Sequence, residues 1–259
     1  FPADYSEARE NFLDAARAVQ ARVESFRNTG AEQCDQQLFT DVAFLGSQNA
    51  ENLLVLMSGT HGIEGFGGSG VQVGLLREDV AGQLDANTGL VLVHALNPYG
   101  FANLRRFNED NVDLNRNFID HSETYPENQA YDQLAGAIAP RFFSAYANSF
   151  AMLRILWYRL LHGNDRLQHA VTHGQYTHPQ GLFYGGRFAT WSNRTLHDIA
   201  AGYLAQASRV VVVDLHTGLG PFGYGELIIN DGENDPAYPR AVTWWGEARV
   251  KSSMQGESV

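Results

Sequence analysis

The sequence predicts an α/β protein in which a largely parallel or mixed sheet lies between helices. Residues 53–57, 88–96 and 209–213 are short, almost uninterrupted apolar runs, the pattern of strands that are covered on both faces. Segments with helical periodicity lie before, between and after these runs. Strands that alternate with helices are typical of a sheet with helices on both of its faces.

The helices are predicted from the spacing of apolar residues. In the first helix the apolar residues that recur on one face include Phe12, Val19, Val23 and Phe26. Ser6 is the expected N-cap. Residues 163–187, rich in glycine, histidine and aromatic residues, are expected to form an ordered loop. Helical periodicity covers residues 6–27, 71–77, 125–146, 149–162 and 193–206.

The strands follow from apolar runs that end in turn signals. Strands are predicted at residues 37–44 (an edge strand), 53–57, 88–96, 209–213 and 226–230. A glycine-rich loop, a turn and a longer loop are expected at residues 65–70, 97–100 and 101–120. In such sheets, sites form just beyond the carboxyl ends of the strands. His61, Asn97 and His216 lie at or just past strand ends, so we expect them to share one site.

Composition excludes several classes of function. The chain of 259 residues has a formal net charge of -11, which argues against a general nucleic-acid or membrane-surface role because phosphate contact needs Lys and Arg. The apolar stretch at 150–161 contains two arginines and is too short to span a bilayer. The single cysteine, Cys34, rules out an internal disulfide framework, and no signal-peptide pattern opens the sequence, so we expect a cytoplasmic protein.

The segment after the first buried strand presents His61 and Glu64 three residues apart, flanked by glycines that allow a sharp turn. Zinc favours histidine nitrogen and carboxylate oxygen, and a catalytic zinc site has three protein ligands. His216, in the sequence Asp-Leu-His-Thr-Gly after the last buried strand, is the expected third ligand. His94 is the rival, but it lies inside a strand and is expected to belong to the core.

The loop at 105–118 carries the other candidate residues. An arginine fork can bind a carboxylate through two hydrogen bonds, so Arg116 with Asn115 is a candidate carboxylate clamp. A second arginine near zinc could polarise a carbonyl and stabilise an oxyanion. Asp113 could accept a hydrogen bond from a ligand histidine and fix its tautomer.

Taken together, these motifs resemble the zinc carboxypeptidase superfamily, which includes the aspartoacylase and succinylglutamate desuccinylase branch. The resemblance covers about residues 50–220, and its most specific part is the string Asp-Leu-Asn-Arg-Asn-Phe at 113–118. Further matching pieces are His61-x-x-Glu64, Asn97-Pro98-x-Gly100, Arg106 and His216. The sequence around them is closer to an uncharacterised bacterial branch than to the digestive carboxypeptidases.

The resemblance implies roles for individual residues. It implies that His61, Glu64 and His216 hold one zinc ion and that Asp113 stands behind the first ligand histidine. It further implies that Arg106 (or its neighbour Arg105) polarises the scissile carbonyl, and that Asn115 and Arg116 grip the carboxylate of the substrate. The implied fold is a mixed, mostly parallel eight-stranded sheet between helices.

One part of the family pattern is not matched. The family has a general-base glutamate well after the third ligand, and Glu226 comes too soon after His216 to fill that place. The other later glutamates are Glu233, Glu247 and Glu257. We therefore expect one zinc-hydrolase domain over residues 1–259 that lacks its last strands, with the base beyond Val259. The substrate-capping tyrosine is left open among Tyr176, Tyr184 and Tyr224.

The expected function is zinc-dependent hydrolysis of an amide bond in a small peptide or an N-acyl amino acid that bears a free carboxylate. The alternative is a catalytically impaired module that binds zinc and a carboxylate. No nucleic acid or membrane is expected as a partner, and the oligomeric state is not predicted.

Overall fold

A computed structural model describes residues 2–31, 36–47, 49–78, 80–140, 142, 144–218, 222–229 and 236–252. The chain divides into two compact units, residues 1–216 and 217–259. Among residues named above, Cys34, Glu233, Glu257 and Val259 lie outside the described part. Nothing in the described ranges forms a helix long and apolar enough to cross a membrane.

A five-stranded mixed sheet forms the centre of the first unit. Its strands are Arg22–Arg27 (β1), Phe39–Gly46 (β2), Asn52–Ser58 (β3), Thr88–His94 (β4) and Arg209–Leu215 (β5). They lie side by side in the order β1-β2-β4-β3-β5. β2 is antiparallel to both of its neighbours, whereas β3 is parallel to both β4 and β5.

The prediction of a mixed sheet between helices is confirmed, but its size and direction are wrong. The sheet has five strands in the described residues, not eight, and two of its four strand pairs are antiparallel, so it is not mostly parallel. The prediction assigned the residues of β1 to the first helix. In the structure β1 pairs with β2 as an antiparallel hairpin. The predicted edge strand, β2, consequently lies inside the sheet.

Helices surround this sheet. Those of the first unit are Tyr5–Ala18 (α1), Gly65–Arg77 (α2), Pro98–Ala102 (α3), Gln129–Ile138 (α4), Ala145–His162 (α5), Asn164–Thr172 (α6) and Trp191–Tyr203 (α7). The second unit contains Leu227–Ile229 (β6), Ala237–Trp245 (α8) and Val250–Ser252 (β7), with β6 and β7 paired in parallel. Neither α8 nor β7 was predicted.

The core lies on both faces of the sheet because successive strand residues point to opposite sides. On one face Leu90 and Leu92 of β4 pack in a cluster with Phe12 of α1 and Leu76 of α2. On the other face Val91 and Val93 pack in a cluster with Ile199 of α7, which leaves β4 fully covered.

Several helix boundaries differ from the prediction. The first helix ends at Ala18, not residue 27, and Gln20 follows it with a φ of 56°, a left-handed conformation that breaks a helix. Its N-cap is Asp4, whose carboxylate accepts a hydrogen bond from the Glu7 N–H, rather than Ser6. Val23 and Phe26, which matched the helical period, lie in β1.

Other local predictions were wrong in a similar way. The predicted glycine-rich loop forms the first turns of α2, and the predicted turn at 97–100 opens α3. Within the described residues, the predicted helix at 125–146 corresponds to α4 and the start of α5, and α6 occupies part of the predicted loop at 163–187. In each case packing decided between conformations that local sequence leaves close in energy.

Candidate metal centre

Two neighbouring parallel strands bring the central residues together. β3 and β5 pair in register up to Ser58 and Leu215, so both strands end at the same edge of the sheet. His216 directly follows β5, and His61 follows β3 after two residues. The sequence separates these histidines widely, and the sheet places their ring centroids 4.7 Å apart.

A single tight turn then places Glu64 beside His61. Residues Gly62–Glu64 form a 3-10 turn with His61 as its N-cap. A Cβ atom on Gly62 would lie 2.0 Å from the carbonyl carbon of Gly100, so only glycine allows this approach. The Gly62 and Ile63 N–H groups donate to the carbonyls of Arg106 and Arg105, at 3.3 and 3.1 Å. The turn is therefore fixed to the loop that carries Arg106.

The Glu64 carboxylate joins the two histidines. Its Oε1 lies 3.1 Å from His61 Nδ1, and its Oε2 lies 2.9 Å from His216 Nδ1. One ligand atom from each of the three residues lies within 4.8 Å of the others. Each histidine thus turns the same ring nitrogen toward the shared carboxylate.

The opposite ring nitrogens are held by two further carboxylates. His61 Nε2 lies 3.3 Å from Asp113 Oδ1, and His216 Nε2 lies 2.8 Å from Asp214 Oδ2. Asp214 also accepts a hydrogen bond from the Thr60 hydroxyl at 2.9 Å. These contacts fix both imidazole orientations and leave the two Nδ1 atoms facing Glu64.

Sequence reasoning gave Asp214 no role, although a signal was present. Residues two apart on a strand point to the same side, so Asp214 and His216 at the end of β5 are placed to meet. The expected contact between Asp113 and His61, in contrast, is present in the structure.

Asp113 is fully buried and has several donors around it. Its Oδ2 accepts a hydrogen bond from Arg106 Nε at 3.0 Å, and its Oδ1 accepts one from the Asn115 N–H at 3.0 Å. Burial by itself would raise the pKa of Asp113, but the hydrogen bond to His61 and the charge of Arg106 outweigh it and lower the pKa to about 2. Asp113 is therefore an anion at neutral pH.

The same carboxylates act on the histidines. Burial lowers the pKa of His216, but the hydrogen bonds and charges of Asp214 and Glu64 outweigh it and raise the pKa to about 10. The pKa of His61 is also raised, because Asp113 and Glu64 outweigh burial and the opposing charge of Arg106. The space between the two histidines and their carboxylate partners consequently favours positive charge.

Arg106 lies at the border of this cluster and is partly exposed. Its Nη1 is 3.8 Å from Glu64 Oε1, and its guanidinium carbon lies 5.2 Å from the centre of the Phe183 ring. The Asn97 side chain supports the same loop by donating to the Arg106 carbonyl at 3.2 Å. Its neighbour Arg105 points its guanidinium toward the Asn111 amide oxygen, 3.5 Å away.

Arg116 is held by backbone groups. Its Nη2 donates to the carbonyl of Thr172 at 2.8 Å and its Nη1 to the carbonyl of Asn115 at 3.3 Å. The Asn115 side chain is exposed, and its backbone N–H binds Asp113. Asn117, by contrast, is fully buried, and its amide group bonds to backbone groups at 185, 188 and 190.

The three candidate tyrosines occupy different places. Tyr176 donates from its hydroxyl to the Arg116 carbonyl at 2.7 Å, and the carbonyl of Tyr184 accepts from the Asp113 N–H at 2.8 Å. Tyr224 belongs to the second unit, as do the later glutamates Glu226 and Glu247. Tyr176 is thus the candidate most directly tied to the Asn115–Arg116 segment.

His94, the rival ligand, lies in the core as predicted. It is fully buried, stacks on Phe12 with ring centroids 4.5 Å apart, and lies 3.0 Å through Nε2 from the Ser69 hydroxyl. It therefore belongs to the packing between α1, α2 and the sheet.

Sequence comparison finds a family but no characterised relative. The family model described as "Protein of unknown function (DUF2817)" matches residues 1–259. No curated protein matches the chain.

Solved structures provide the likeness in fold. Carboxypeptidase A from Helicoverpa armigera matches with a TM-score of 0.50 at 13% identity, over 88% of this chain and 47% of that one. Thrombin activatable fibrinolysis inhibitor (TAFI) matches with a TM-score of 0.55 at 11% identity, over 97% and 59%. The expected resemblance to the zinc carboxypeptidase superfamily is thereby confirmed at the level of the fold. This chain spans about half the length of these structures.

A weaker likeness concerns a Shewanella frigidimarina protein whose name places it with succinylglutamate desuccinylase and aspartoacylase. Its TM-score is 0.39 at 20% identity, over 77% of this chain and 46% of that one. A likeness of this size supports no inference about this chain.

Proposed function

The chain belongs to the DUF2817 family of proteins of unknown function, and we propose that it is a zinc-dependent hydrolase of amide bonds. One observation carries the proposal. The Nδ1 atoms of His61 and His216 converge on Glu64, while Asp113 and Asp214 hold their Nε2 atoms from behind. This is the donor set and the outer support that a catalytic zinc site needs.

The residues present fit one zinc ion. His61, Glu64 and His216 would hold it, since they offer two imidazole nitrogens and a carboxylate within a small volume. The cluster of carboxylates that raises the pKa values of both histidines would equally favour a divalent cation in place of their protons. When bound, zinc supplies Lewis-acid chemistry, which makes a carbonyl more electrophilic and a water molecule more acidic.

Arg106 would bind the oxygen of the scissile carbonyl. Asp113 fixes the guanidinium through Nε, so its orientation is set before a substrate arrives. The guanidinium is partly exposed beside Glu64 and can donate to an oxygen that gains negative charge during hydrolysis. Its contribution would be electrostatic, because it needs no proton transfer.

Asn115 and Arg116 would orient the substrate through its carboxylate. The Asn115 side chain is exposed, and Arg116 is anchored by two backbone carbonyls. A fixed guanidinium beside an amide group suits a carboxylate, as at a peptide C-terminus or on an N-acyl amino acid. Both substrate classes are compatible with the proposal.

Hydrolysis also needs a group that takes a proton from water and returns it to the leaving amine. A module that binds zinc and a carboxylate without turnover would use the same residues but lack this group. The test below therefore measures zinc and turnover separately.

The first test is zinc content and amide hydrolysis of the protein purified without a metal-affinity step. We expect about one zinc per chain and hydrolysis of a peptide or N-acyl amino acid panel, with both lost in His216→Ala. His197→Ala, which removes an exposed histidine of α7, is the matched control and should keep both.

Two results would contradict parts of the proposal. Absence of zinc in the parent protein after zinc is supplied would refute the metal site. Stoichiometric zinc without turnover of any free-carboxylate amide would instead support the binding module.

A further inference from the structure

Helix α5 carries apolar side chains on both its buried and its exposed face and lies at the surface of its unit. Ala151 is buried, and Ile155 and Tyr158 are partly buried, so this face packs against the body of the unit. A surface helix normally turns charged and polar residues, rather than large apolar ones, toward the solvent. We therefore expect a partner to cover the opposite face of α5.

That opposite face carries a regular row of large side chains, which we call the α5 stripe. The α5 stripe consists of Tyr146, Phe150, Leu153, Trp157 and Leu160. These side chains are between 63% and 91% exposed. They alternate at spacings of four and three residues, the repeat by which one helix packs along another.

We propose that the α5 stripe is the interface of a homodimer, in which the α5 helices of two copies pair antiparallel. The stripe is complementary to itself in this arrangement. With the two-fold axis opposite residue 155, Phe150 meets Leu160 of the second copy, and Leu153 meets its Trp157. Both of these layers set an aromatic ring against a leucine, so large side chains meet smaller ones.

The exposed area agrees with a stable pair. With about 200 Å² for each large side chain, the α5 stripe exposes roughly 700 Å². A standard protein–protein interface buries about 800 Å² on each partner. Leu156 and Leu161, which are exposed on the flanks of the same helix, add further apolar area.

Charge favours a second copy over a lipid surface. The chain has a net charge of -11, so an anionic membrane would repel it. α5 contains no acidic residue, and neither of its arginines belongs to the α5 stripe. Arg154 donates to the Gln133 carbonyl of α4, toward its own unit, and Arg159 lies on another side of the helix. The α5 stripe is therefore an uncharged patch on an acidic protein, and two such patches can meet without like-charge repulsion.

The test is sedimentation equilibrium of the 259-residue chain at several concentrations. We expect a dimer in the parent and at least about a hundredfold weaker association in Leu153→Glu, because a carboxylate would be buried without a partner. Met152→Glu adds the same charge at a similarly exposed site outside the stripe and should leave the dimer intact. Circular dichroism of both variants should match the parent, which shows that each variant folds.

A mixing experiment tests the antiparallel direction. Leu153→Glu and Trp157→Lys should each be monomeric alone but associate when mixed, because antiparallel helices bring the new carboxylate and ammonium into one layer. Parallel helices would set like positions against each other, so mixing would not restore association.

Several outcomes would overturn the proposal. A parent that stays monomeric at about 100 µM, a range in which standard interfaces associate, would do so. So would a dimer that Leu153→Glu leaves unchanged, or binding of the monomer through α5 to vesicles of anionic lipid. Failure of the mixed variants to associate would refute the antiparallel pairing.

Discussion

Histidines of the candidate metal centre differ sharply from the histidine of the core. His61, His94 and His216 all belong to one sheet or the loops that leave it, and all three are shielded from water to some degree. Burial lowers the pKa of His94 to about 4, whereas carboxylates raise the pKa of His216 to about 10. The partner groups, more than burial, decide whether an imidazole position favours a cation.

The two halves of the centre also differ from each other. His61 and Asp113 are almost completely buried, while the side chains of His216 and Asp214 are 34% and 23% exposed. The His61 half should therefore hold its geometry more rigidly, and the His216 half should respond more to solvent and salt.

The largest expected effect separates the site histidine from the core histidine. His61→Ala should lose zinc binding altogether, since two ligands do not hold a catalytic zinc, whereas His94→Gln should keep about one zinc per chain. Metal analysis of both variants after dialysis measures this difference. Zinc retained in His61→Ala would contradict the expected difference between the site histidine and the core histidine.

The pH dependence of stability tests the core histidine. The pKa of His94 is lowered from 6.5 to about 4, so the unfolded state binds more protons between these pH values. The stability from neutral His94 is complete above pH 6.5 and is lost as the pH falls toward 4, by about 3 kcal/mol. Urea unfolding at pH 7 and pH 4 should show this additional loss in the parent relative to His94→Gln. Equal losses in both proteins would contradict it.

A third prediction sharpens the contrast between the two halves of the centre. Asp113→Asn and Asp214→Asn should each weaken zinc binding by about ten- to a hundredfold, the usual cost of removing a carboxylate behind a ligand histidine. Asp113→Asn should be the more severe, because it also leaves Arg106 without its buried partner. Competition with a zinc chelator gives both affinities. If Asp214→Asn weakened zinc binding more than Asp113→Asn, the more exposed half of the centre would be the more important one for zinc affinity.

The smallest expected effect concerns the support behind Asp214. Thr60→Val removes the hydrogen bond from the Thr60 hydroxyl to Asp214, which is worth about 1 kcal/mol. Zinc affinity should fall about fivefold, as 1 kcal/mol implies at room temperature. Thr195→Val, at a buried threonine of α7, provides a control that should leave affinity unchanged.

The sequence predicted the parts of the molecule that one strong pattern governs. The apolar runs of β3, β4 and β5 were located correctly, and the residues after β3 and β5 were correctly expected to meet. Strand direction was not predictable, because an apolar run has the same pattern in parallel and antiparallel pairs. β1 was missed because Val23 and Phe26 also fit the period of the preceding helix.

The site was predictable for side chains that carry a motif and less so for their supports. His61, Glu64 and His216 were predicted as ligands from chemistry and spacing, and the structure brings them together, while Asp214 was seen but given no role. The Arg116 side chain could not be placed from sequence, because its anchor is the backbone of Thr172, far along the chain. Backbone carbonyls leave no signature in a sequence.

The close approach of Gly62 to Gly100 has a mechanical consequence. The turn that carries Glu64 and the loop that carries Arg106 touch through bare backbone and are joined by hydrogen bonds from Gly62 and Ile63. A bound molecule that displaces Arg106 would therefore displace the turn that carries Glu64 as well. This coupling passes through main-chain atoms, so it would persist while the surrounding side chains vary, provided that both positions keep glycine.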